Sequence, residues 1–353
     1  RSADDSLRRE RGPCLMRVLA VPDKFRGTAT AEQVCAAIAV AVVAAGSSCR
    51  SLPIADGGEG MLEAFGGPNR LTAVTGPAGG PVSAGWRMNA DGLAVIESAQ
   101  ACGLLLTGGA AANDPVAATT RGVGELIVAA LVEGAARILV GLGGSATTDG
   151  GRGAVDAVID AGQLDAVRSV ELDVCCDVET RFTDAARVFG PQKGASPADV
   201  RFLTDRLRSR RAEYSAQFGI DVEAIPGSGA AGGLAGGLAV IGASLVGGFD
   251  QIARELELDR MLADADLVIT GEGKFDATSL AGKVVGGVWR RAAALGLPVV
   301  AIVGVQDPEA RCDGLTVLSL TELYGSSRAL SDTSLAITDA VAGYLATQTQ
   351  RGH

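Results

Sequence analysis

The stretch RILVGLGGSATTDGG, residues 137–151, decides the fold class of this chain. It opens with a short run of branched apolar residues, which is typical of a buried strand, and passes at once into glycine, hydroxyl side chains and one acid. Other short Val/Ile/Leu runs alternate along the chain with longer Ala-rich stretches of helical character. This alternation predicts an α/β fold whose sheet is mostly parallel.

The apolar runs predict the strands, and the stretches between them predict the helices. We expect strands at 17–21, 71–75, 93–97, 137–142, 171–176, 266–270, 298–303 and 316–320. We expect helices at 30–45, 120–134, 197–217, 230–246, 250–263, 278–295 and 328–346. Segment 76–92 differs, because turn residues surround a short alternating run of the kind found in an antiparallel hairpin. It indicates a mixed middle domain, distinct from the two ends of the chain.

Length and composition exclude several classes of protein. A chain of 353 residues exceeds what one core usually holds, so we expect two domains, or one large α/β unit with an insertion. A net charge of −10 and an aromatic content of 4% argue against nucleic acid or anionic lipid as a partner. The only histidine is His353, which excludes histidine-based catalysis and histidine-ligated zinc. Proton transfer must therefore use Asp, Glu, Lys or water.

Cysteine usage and hydropathy suggest where the protein works. Its seven cysteines are scattered without a CxxC pair, which favours a reducing compartment and a cytoplasmic protein. Segment 34–46 is only 13 residues long, and segment 227–249 contains nine glycines, so neither predicts a membrane span. Residues 1–15 are polar and of mixed charge. We expect them to be a disordered extension ahead of a folded domain that begins near Met16.

Three predicted strands run directly into loops that combine glycine with charge. The loops are PDKFRG (22–27), GGSATTDGG (143–151) and GEGKFD (271–276). In parallel sheets, ligands bind at the carboxyl ends of the strands, where glycine lets a ligand approach the backbone and exposed N–H groups hold anions. One such loop would be an ordinary turn, but three together favour a ligand site.

A fourth segment, DGGEG at residues 56–60, places two carboxylates three residues apart among glycines. Carboxylates with close backbone approach suit Mg²⁺ or a hydroxyl-bearing substrate. The alternative is a helix start, with Asp56 as the N-cap and Glu59 as its capping-box partner. Both interpretations can hold together.

Lysine is rare and placed in particular settings. Only four of the 31 cationic residues are lysines, and all four lie in or beside glycine-rich segments: Lys24, Lys193, Lys274 and Lys283. A lysine ammonium is a compact point charge, unlike the planar fork of arginine. The pattern supports a phosphate-handling role.

Two familiar nucleotide motifs were tested against the sequence. The chain contains no GxxxxGK[ST] segment, so it is not a P-loop enzyme. Residues 227–232 match GxGxxG, with Asp250 eighteen residues later, which leaves an NAD(P)-dependent oxidoreductase open as an alternative. The motif lacks a clear strand before it, however.

Taken together, these segments resemble the glycerate kinases of the bacterial type, which transfer the γ-phosphate of ATP to D-glycerate. The resemblance spans about residues 16–345, and its motifs occur in the family's order: 22–34, 53–60, 141–151, 176–178 with 188–195, 226–233 and 265–283. Two regions depart from the family pattern. Segment 153–177 is shorter than usual, and segment 179–186 replaces a more glycine-rich connection.

The resemblance implies two α/β domains and a substrate cleft between them. One is a Rossmann-like, discontinuous domain built from residues 16–55 and 255–350, and the other is a mixed middle domain of residues 56–254. It also implies ATP and Mg²⁺ as cofactors, with 2-phospho-D-glycerate as the favoured product. The oligomeric state stays open.

Phosphoryl transfer requires alignment of the hydroxyl with the γ-phosphorus and neutralisation of charge, so roles follow for the candidate residues. We expect Asp56 or Asp149 to take the glycerate proton. The cationic set that neutralises phosphate or the glycerate carboxylate is Lys24, Arg26, Lys193 and Lys274, and the amides that cradle phosphate are those of Gly143, Gly144 and Ser145. The candidate Mg²⁺ ligands are Glu59, Glu272 and Asp276. A non-catalytic ligand sensor on the same scaffold is a further alternative, although it would not need these acids.

Overall fold

A computed structural model describes residues 16–280 and 282–351 of the chain. Its strands are β1 (Arg17–Pro22), β2 (Ser48–Ser51), β3 (Arg70–Thr75), β4 (Pro81–Met88), β5 (Leu93–Glu97), β6 (Arg137–Gly141), β7 (Glu171–Cys175), β8 (Ser244–Val246), β9 (Leu267–Phe275), β10 (Val299–Gln306) and β11 (Leu315–Ser319). The mixture of strands and helices confirms the predicted α/β class.

The helices account for most of the remaining chain. They are α1 (Ala31–Ala44), α2 (Met61–Ala64), α3 (Ala99–Cys102), α4 (Arg121–Val132), α5 (Arg152–Asp160), α6 (Leu164–Ser169), α7 (Ala185–Phe189), α8 (Pro197–Phe218), α9 (Ala230–Val240), α10 (Gly248–Glu255), α11 (Leu258–Ala263), α12 (Val284–Ala294), α13 (Leu320–Tyr324), α14 (Ser326–Ser331) and α15 (Thr333–Arg351).

The chain forms two compact units. Unit 1 contains the described residues up to Pro53, together with Asp259–Ala277 and the chain from Val288 onward. Unit 2 contains Ile54–Leu258 and Thr278–Gly287. Residues 54–55, 255–258 and 278–287 were expected in the Rossmann-like domain and lie in unit 2.

Unit 1 is built on a five-stranded sheet in the order β11-β10-β9-β1-β2, and every neighbouring pair is parallel. Helix α1 begins with a capping box, in which Gln33 N donates to Thr30 Oγ1 at 3.2 Å and Thr30 N donates to Gln33 Oε1 at 2.9 Å. The buried face of α1 joins the core of the unit together with residues from β1, β9 and α15.

Unit 2 is built on a six-stranded sheet in the order β3-β4-β5-β6-β7-β8. Strand β4 pairs antiparallel with β3 and with β5, which confirms the predicted hairpin in segment 76–92. Strands β5 to β8 are parallel, so their carboxyl ends lie at one edge of the sheet. Trp86, Phe182 and Tyr214 are among the largest fully buried side chains of this unit.

Several element boundaries differ from those expected. The helix expected at 230–246 ends as α9 at Val240 and gives way to β8, and Ala231, Gly232 and Gly233 adopt positive φ inside it. The helix expected at 250–263 is two helices, separated near Glu257, which has φ +54°. These breaks coincide with left-handed backbone that no continuous helix accommodates.

Three further expectations were wrong in extent. The strand expected at 266–270 continues to Phe275, because β10 pairs with it up to Gln306. The helix expected at 278–295 is a 3₁₀ turn at Ala277–Leu280 followed by α12, and the one expected at 328–346 is α14 followed by α15. The polar edge strand β2 and the helices α5 to α7 carry weak apolar patterns and were not predicted.

Two expectations concern the chain ends and membranes. The predicted disorder of residues 1–15 lies outside the described residues. Within 16–280 and 282–351, no helix combines the length and the apolar character that crossing a bilayer would require.

Candidate active site

In unit 2, the DGGEG loop lies over the carboxyl ends of β6 and β7. Gly57 has φ +93°, and a methyl group there would lie 2.5 Å from Cys175 Cβ. A methyl group on Gly143 would lie 2.6 Å from the Glu59 amide nitrogen. Leu142 N also donates to the Gly57 carbonyl at 3.0 Å. Glycine is therefore what allows the loops at 56–60 and 141–151 to touch backbone to backbone, and the structure brings these two predicted loops together.

The turn after β6 presents a row of backbone donors. The carbonyl of Gly144 accepts from Leu104 N at 2.7 Å, and Ala146 N donates to the Cys102 carbonyl at 2.8 Å. The intervening amides of Gly143, Gly144 and Ser145 donate to no acceptor in the described part of the chain. Consecutive free amides at a strand end form an anion-binding concavity.

Lys193 lies beneath this turn and not on its surface. The residue is 3% exposed, and its Nζ donates to Ser145 Oγ at 2.9 Å and to the Thr147 carbonyl at 2.6 Å. Burial lowers the pKa of Lys193 to about 8, although Cys102 and Asp149 oppose that shift. The ammonium thus holds the 145–147 backbone from below.

Asp149 is enclosed by hydrogen-bond donors. Its Oδ2 accepts from Thr120 N at 2.9 Å and from Thr120 Oγ1 at 2.8 Å, and also from Gly153 N at 3.2 Å. Its Oδ1 accepts from Gly151 N at 3.0 Å. Asp149 therefore caps the N-termini of both α4 and α5. This is a structural role, whereas the sequence suggested Asp149 as a candidate catalytic base.

Glu97, at the end of β5, holds the other side of the DGGEG loop. The residue is 4% exposed, and its Oε1 accepts from Leu62 N at 3.3 Å. Burial raises the pKa of the Glu97 carboxyl, and the backbone amides near α2 oppose that shift. Asp56, by contrast, is half-buried and its Oδ1 accepts only from Gly58 N, at 3.2 Å, among the described residues.

Unit 1 holds the remaining predicted site residues at the carboxyl ends of β1 and β9. Asp23 N donates to the Gly271 carbonyl at 2.9 Å, and a methyl group on Gly273 would lie 3.2 Å from Arg26 N. The loop at 22–27 and residues 271–276 at the end of β9 are therefore adjacent. Lys24 is half-buried and Arg26 is exposed.

The acids of this region differ in their surroundings. Glu272 is 8% exposed within β9, whereas Lys274 is exposed and its Nζ lies 3.2 Å from Asp276 Oδ2. Among the residues that the structure describes, no three His, Cys, Asp or Glu side chains are grouped as a metal site. Mg²⁺ is usually held by one or two carboxylates plus phosphate oxygens, and Glu272 and Asp276 offer the hard oxygen donors it prefers.

The glycines of the GxGxxG segment pack against protein. A methyl group on Gly229 would lie 2.3 Å from the Arg181 carbonyl oxygen, and one on Gly232 would lie 2.0 Å from that of Thr147. A 3₁₀ turn at Val222–Ala224, not a strand, comes before the segment. Gly232 thus packs on the 147–151 loop and Gly229 on the backbone at Arg181. These glycines serve backbone packing, which removes the structural basis for the dinucleotide interpretation.

Three polar residues of unit 2 were missed by the sequence analysis: Glu97, Thr120 and Asp177. Glu97 and Asp177 stand at or just after the carboxyl ends of β5 and β7, so the rule that selected 143–151 could have found them. Thr120 carries no such signal, because only the folded chain brings it to Asp149.

Comparisons with known proteins agree with this architecture. Residues 18–159 and 156–349 match the model of the Glycerate kinase family. Glycerate 2-kinase of Escherichia coli K12 is 37% identical over 325 residues, which cover 82% of this chain and 85% of that protein. Glycerate kinase of Bacillus subtilis 168 is 39% identical over 326 residues, which cover 82% of this chain and 85% of that protein.

A solved structure extends the similarity to three dimensions. A protein of Salmonella typhimurium LT2, provisionally described as glycerate kinase 2, has a TM-score of 0.80 and 32% identity, and the match covers 96% of this chain and 99% of that one. Fold and matches together define an enzyme of the kinase class. More narrowly, the chain belongs to the glycerate kinase family, and the family predicted from the sequence motifs is confirmed.

Proposed function

We propose that this protein phosphorylates D-glycerate with ATP and Mg²⁺, giving 2-phospho-D-glycerate and ADP. One observation carries the proposal: the consecutive amides of Gly143, Gly144 and Ser145, which have no acceptor among the described residues, lie beside a carboxylate loop that contains Asp56. Donors for a phosphate next to an acceptor for a hydroxyl proton are the two elements that phosphoryl transfer needs. The names of the E. coli and B. subtilis relatives support glycerate as the acceptor, and the former supports the 2-hydroxyl.

Asp56 is the better candidate for the base. Its carboxylate is half-buried with one hydrogen bond, whereas four bonds enclose that of Asp149. Asp56 takes the proton of the glycerate hydroxyl as the new O–P bond forms, and the bond between the γ-phosphorus and the β,γ-bridging oxygen breaks to release ADP. Asp149 keeps α4 and α5 in place around the turn at residues 142–147, which we call the phosphate turn.

The cations have distinct roles in this proposal. Lys193 positions the phosphate turn through its hydrogen bonds to Ser145 and Thr147. In this role it does not contact the phosphate directly. Lys24, Arg26 and Lys274, in unit 1, are solvent-accessible and are candidates to neutralise the phosphates of ATP.

Mg²⁺ neutralises charge on the transferred phosphoryl group when bound. Glu272 and Asp276 in unit 1 are candidates to hold it, and Glu59 in unit 2 is a third candidate, directly or through water. Free thiols at the six described cysteines support a reducing, cytoplasmic setting for this chemistry.

An ADP-release assay tests the proposal. The purified protein should release ADP from Mg-ATP in the presence of D-glycerate and much more slowly with L-glycerate. Asp56→Asn should lower kcat by about 100-fold or more, because general-base catalysis contributes a factor of this order. Wild-type protein that releases no glycerate-dependent ADP would refute the function, and an Asp56→Asn enzyme with normal kcat would remove Asp56 as the base.

A further inference from the structure

The mechanism proposed above leaves unused a carboxylate beside Asp56. We propose that Asp177 is a second acceptor-site residue, which binds the glycerate hydroxyl that is not phosphorylated while Asp56 serves the one that is. This inference rests on the proposed function and assigns the substrate contact that would distinguish glycerate from acids with a single hydroxyl.

Backbone packing brings Asp177 and Asp56 close to the same residue, Gly248 at the start of α10. A methyl group on Gly248 would lie 2.0 Å from the Asp56 carbonyl oxygen and 3.0 Å from Asp177 Oδ2. On the other side, a methyl group on Gly57 would lie 2.9 Å from Gly248 Cα. Three segments therefore meet here through glycines: the DGGEG loop, the residues after β7 and the start of α10.

One oxygen of Asp177 remains open to a ligand. Asp177 Oδ1 accepts from Gly248 N at 2.8 Å, which caps the start of α10. Asp177 Oδ2 has no hydrogen-bond donor among the described residues, and the side chain is open to solvent. A cap alone needs one oxygen, so the second is available to accept a hydrogen bond from a substrate hydroxyl.

The charges around Asp177 favour such a contact. Burial, together with the negative charges of Asp56 and Asp250, raises the pKa of Asp177 to about 6. The Gly248 hydrogen bond and the charge of Lys283 oppose that shift. Burial also raises the pKa of the neighbouring thiols of Cys175 and Cys176. A hydroxyl that donates to Asp177 would stabilise its carboxylate against the nearby negative charges.

This arrangement matches glycerate chemically, because the molecule carries two adjacent hydroxyls. A site that hydrogen-bonds a substrate hydroxyl discriminates strongly against an analogue lacking it, since the site's own polar group is then left without a partner. Asp177 therefore makes the second hydroxyl a requirement and discriminates against D-lactate, which lacks the 3-hydroxyl.

Steady-state kinetics and calorimetric titration of glycerate test the inference. Asp177→Ala should raise KM and Kd for D-glycerate by about 10- to 100-fold, the range expected for loss of a hydrogen bond to a charged group. Asp177→Asn keeps the shape and the Gly248 bond, and should produce a smaller rise in the same direction. KM for ATP should stay within about 2-fold. Asp205→Ala, at an exposed position of α8, is the control and should leave both KM values near wild type.

The outcomes separate the two levels of the proposal. Wild-type protein that does not phosphorylate glycerate overturns the function and this inference together. Wild-type protein that is active, combined with unchanged glycerate KM and Kd in both Asp177 variants, overturns only the role of Asp177. A thermal midpoint lowered in Asp177→Ala and restored in Asp177→Asn, with glycerate KM at the wild-type value in the latter, would show a helix cap and no substrate contact.

Discussion

The ammonium of Lys193 donates a hydrogen bond to Ser145 Oγ at 2.9 Å from a fully buried position next to the turn that follows β6. A second bond, to the Thr147 carbonyl, fixes the backbone two residues further on. An ammonium in this place fixes the backbone that carries the amides of Gly143, Gly144 and Ser145 while remaining out of contact with solvent. At position 193, lysine therefore suits the enclosed setting as well as the charge.

Replacement of Lys193 by arginine should damage the enzyme although the charge is kept. The guanidinium is larger, and its additional N–H donors would be buried without acceptors. We expect kcat/KM to fall by about 100-fold, with a loss of stability of about 2–4 kcal/mol. Arg208→Ala, which removes an exposed ion pair with Asp205 on α8, is the control and should change neither quantity appreciably. A Lys193→Arg enzyme with wild-type kcat/KM would contradict the positioning role.

Burial of Lys193 also predicts a dependence of stability on pH. Its pKa is about 8 in the folded chain against 10.5 as the ordinary value, so between these values the unfolded state binds more protons. The free energy of unfolding contributed by this group should therefore rise as pH increases from about 8 to 10.5. Urea unfolding of wild type and Lys193→Met across this interval isolates the contribution. Parallel pH profiles for the two proteins would refute the lowered pKa.

Loss of the Asp149 carboxylate should destabilise unit 2, because the N-termini of α4 and α5 both lose their cap. Asp149→Ala removes four hydrogen bonds at the N-termini of α4 and α5, and we expect a loss of about 2–4 kcal/mol in chemical unfolding. Thr120→Val removes only part of the network and should cost about 1–2 kcal/mol. Asp205→Ala, at an exposed position of α8, should stay within about 0.5 kcal/mol of wild type. Equal stability of Asp149→Ala and wild type would exclude the capping role.

The contact between Gly57 and β7 predicts a sharp difference between two glycines of similar backbone conformation. Gly57 has φ +93° and is crowded by Cys175, whereas Gly79 has φ +85° and no heavy atom of the described chain within 4 Å of an added Cβ. Gly79→Ala should cost about 1 kcal/mol through backbone strain alone. Gly57→Ala adds steric displacement and should cost about 2–4 kcal/mol, with a fall in kcat as the Asp56 loop moves. Similar losses in the two variants would show that the loop does not depend on the close approach.

Much of the fold could be predicted because its strands are short, apolar and separated by helical stretches. The runs at 93–97 and 137–142 became β5 and β6 almost unchanged, since each is buried on both faces of a parallel sheet. The GEGK segment was mistaken for a loop, because its glycines conceal a strand that pairs with β10. The 230–246 stretch has helical composition, yet close packing of its glycines on the 147–151 loop bends the backbone into left-handed conformations.

The sequence could select candidate site residues, but it could not show their surroundings. Motif order led to Asp56, Gly143 and Lys193, which lie together in unit 2 around the carboxyl ends of its parallel strands. Whether an acid such as Asp149 faces a substrate or caps a helix depends on donors that come from distant segments, such as Thr120, and no local pattern reveals them. The same holds for Asp177, whose proximity to Asp56 depends on Gly248.

The most direct test of the account is NMR identification of the product that the purified protein forms from Mg-ATP and D-glycerate. The account predicts a single new phosphomonoester whose proton coupling places phosphate on the 2-hydroxyl, formed with ADP in equal amount and nearly absent with Asp56→Asn. A product phosphorylated on the 3-hydroxyl would contradict the assigned regiochemistry. ATP and glycerate that remain unchanged would contradict the central claim.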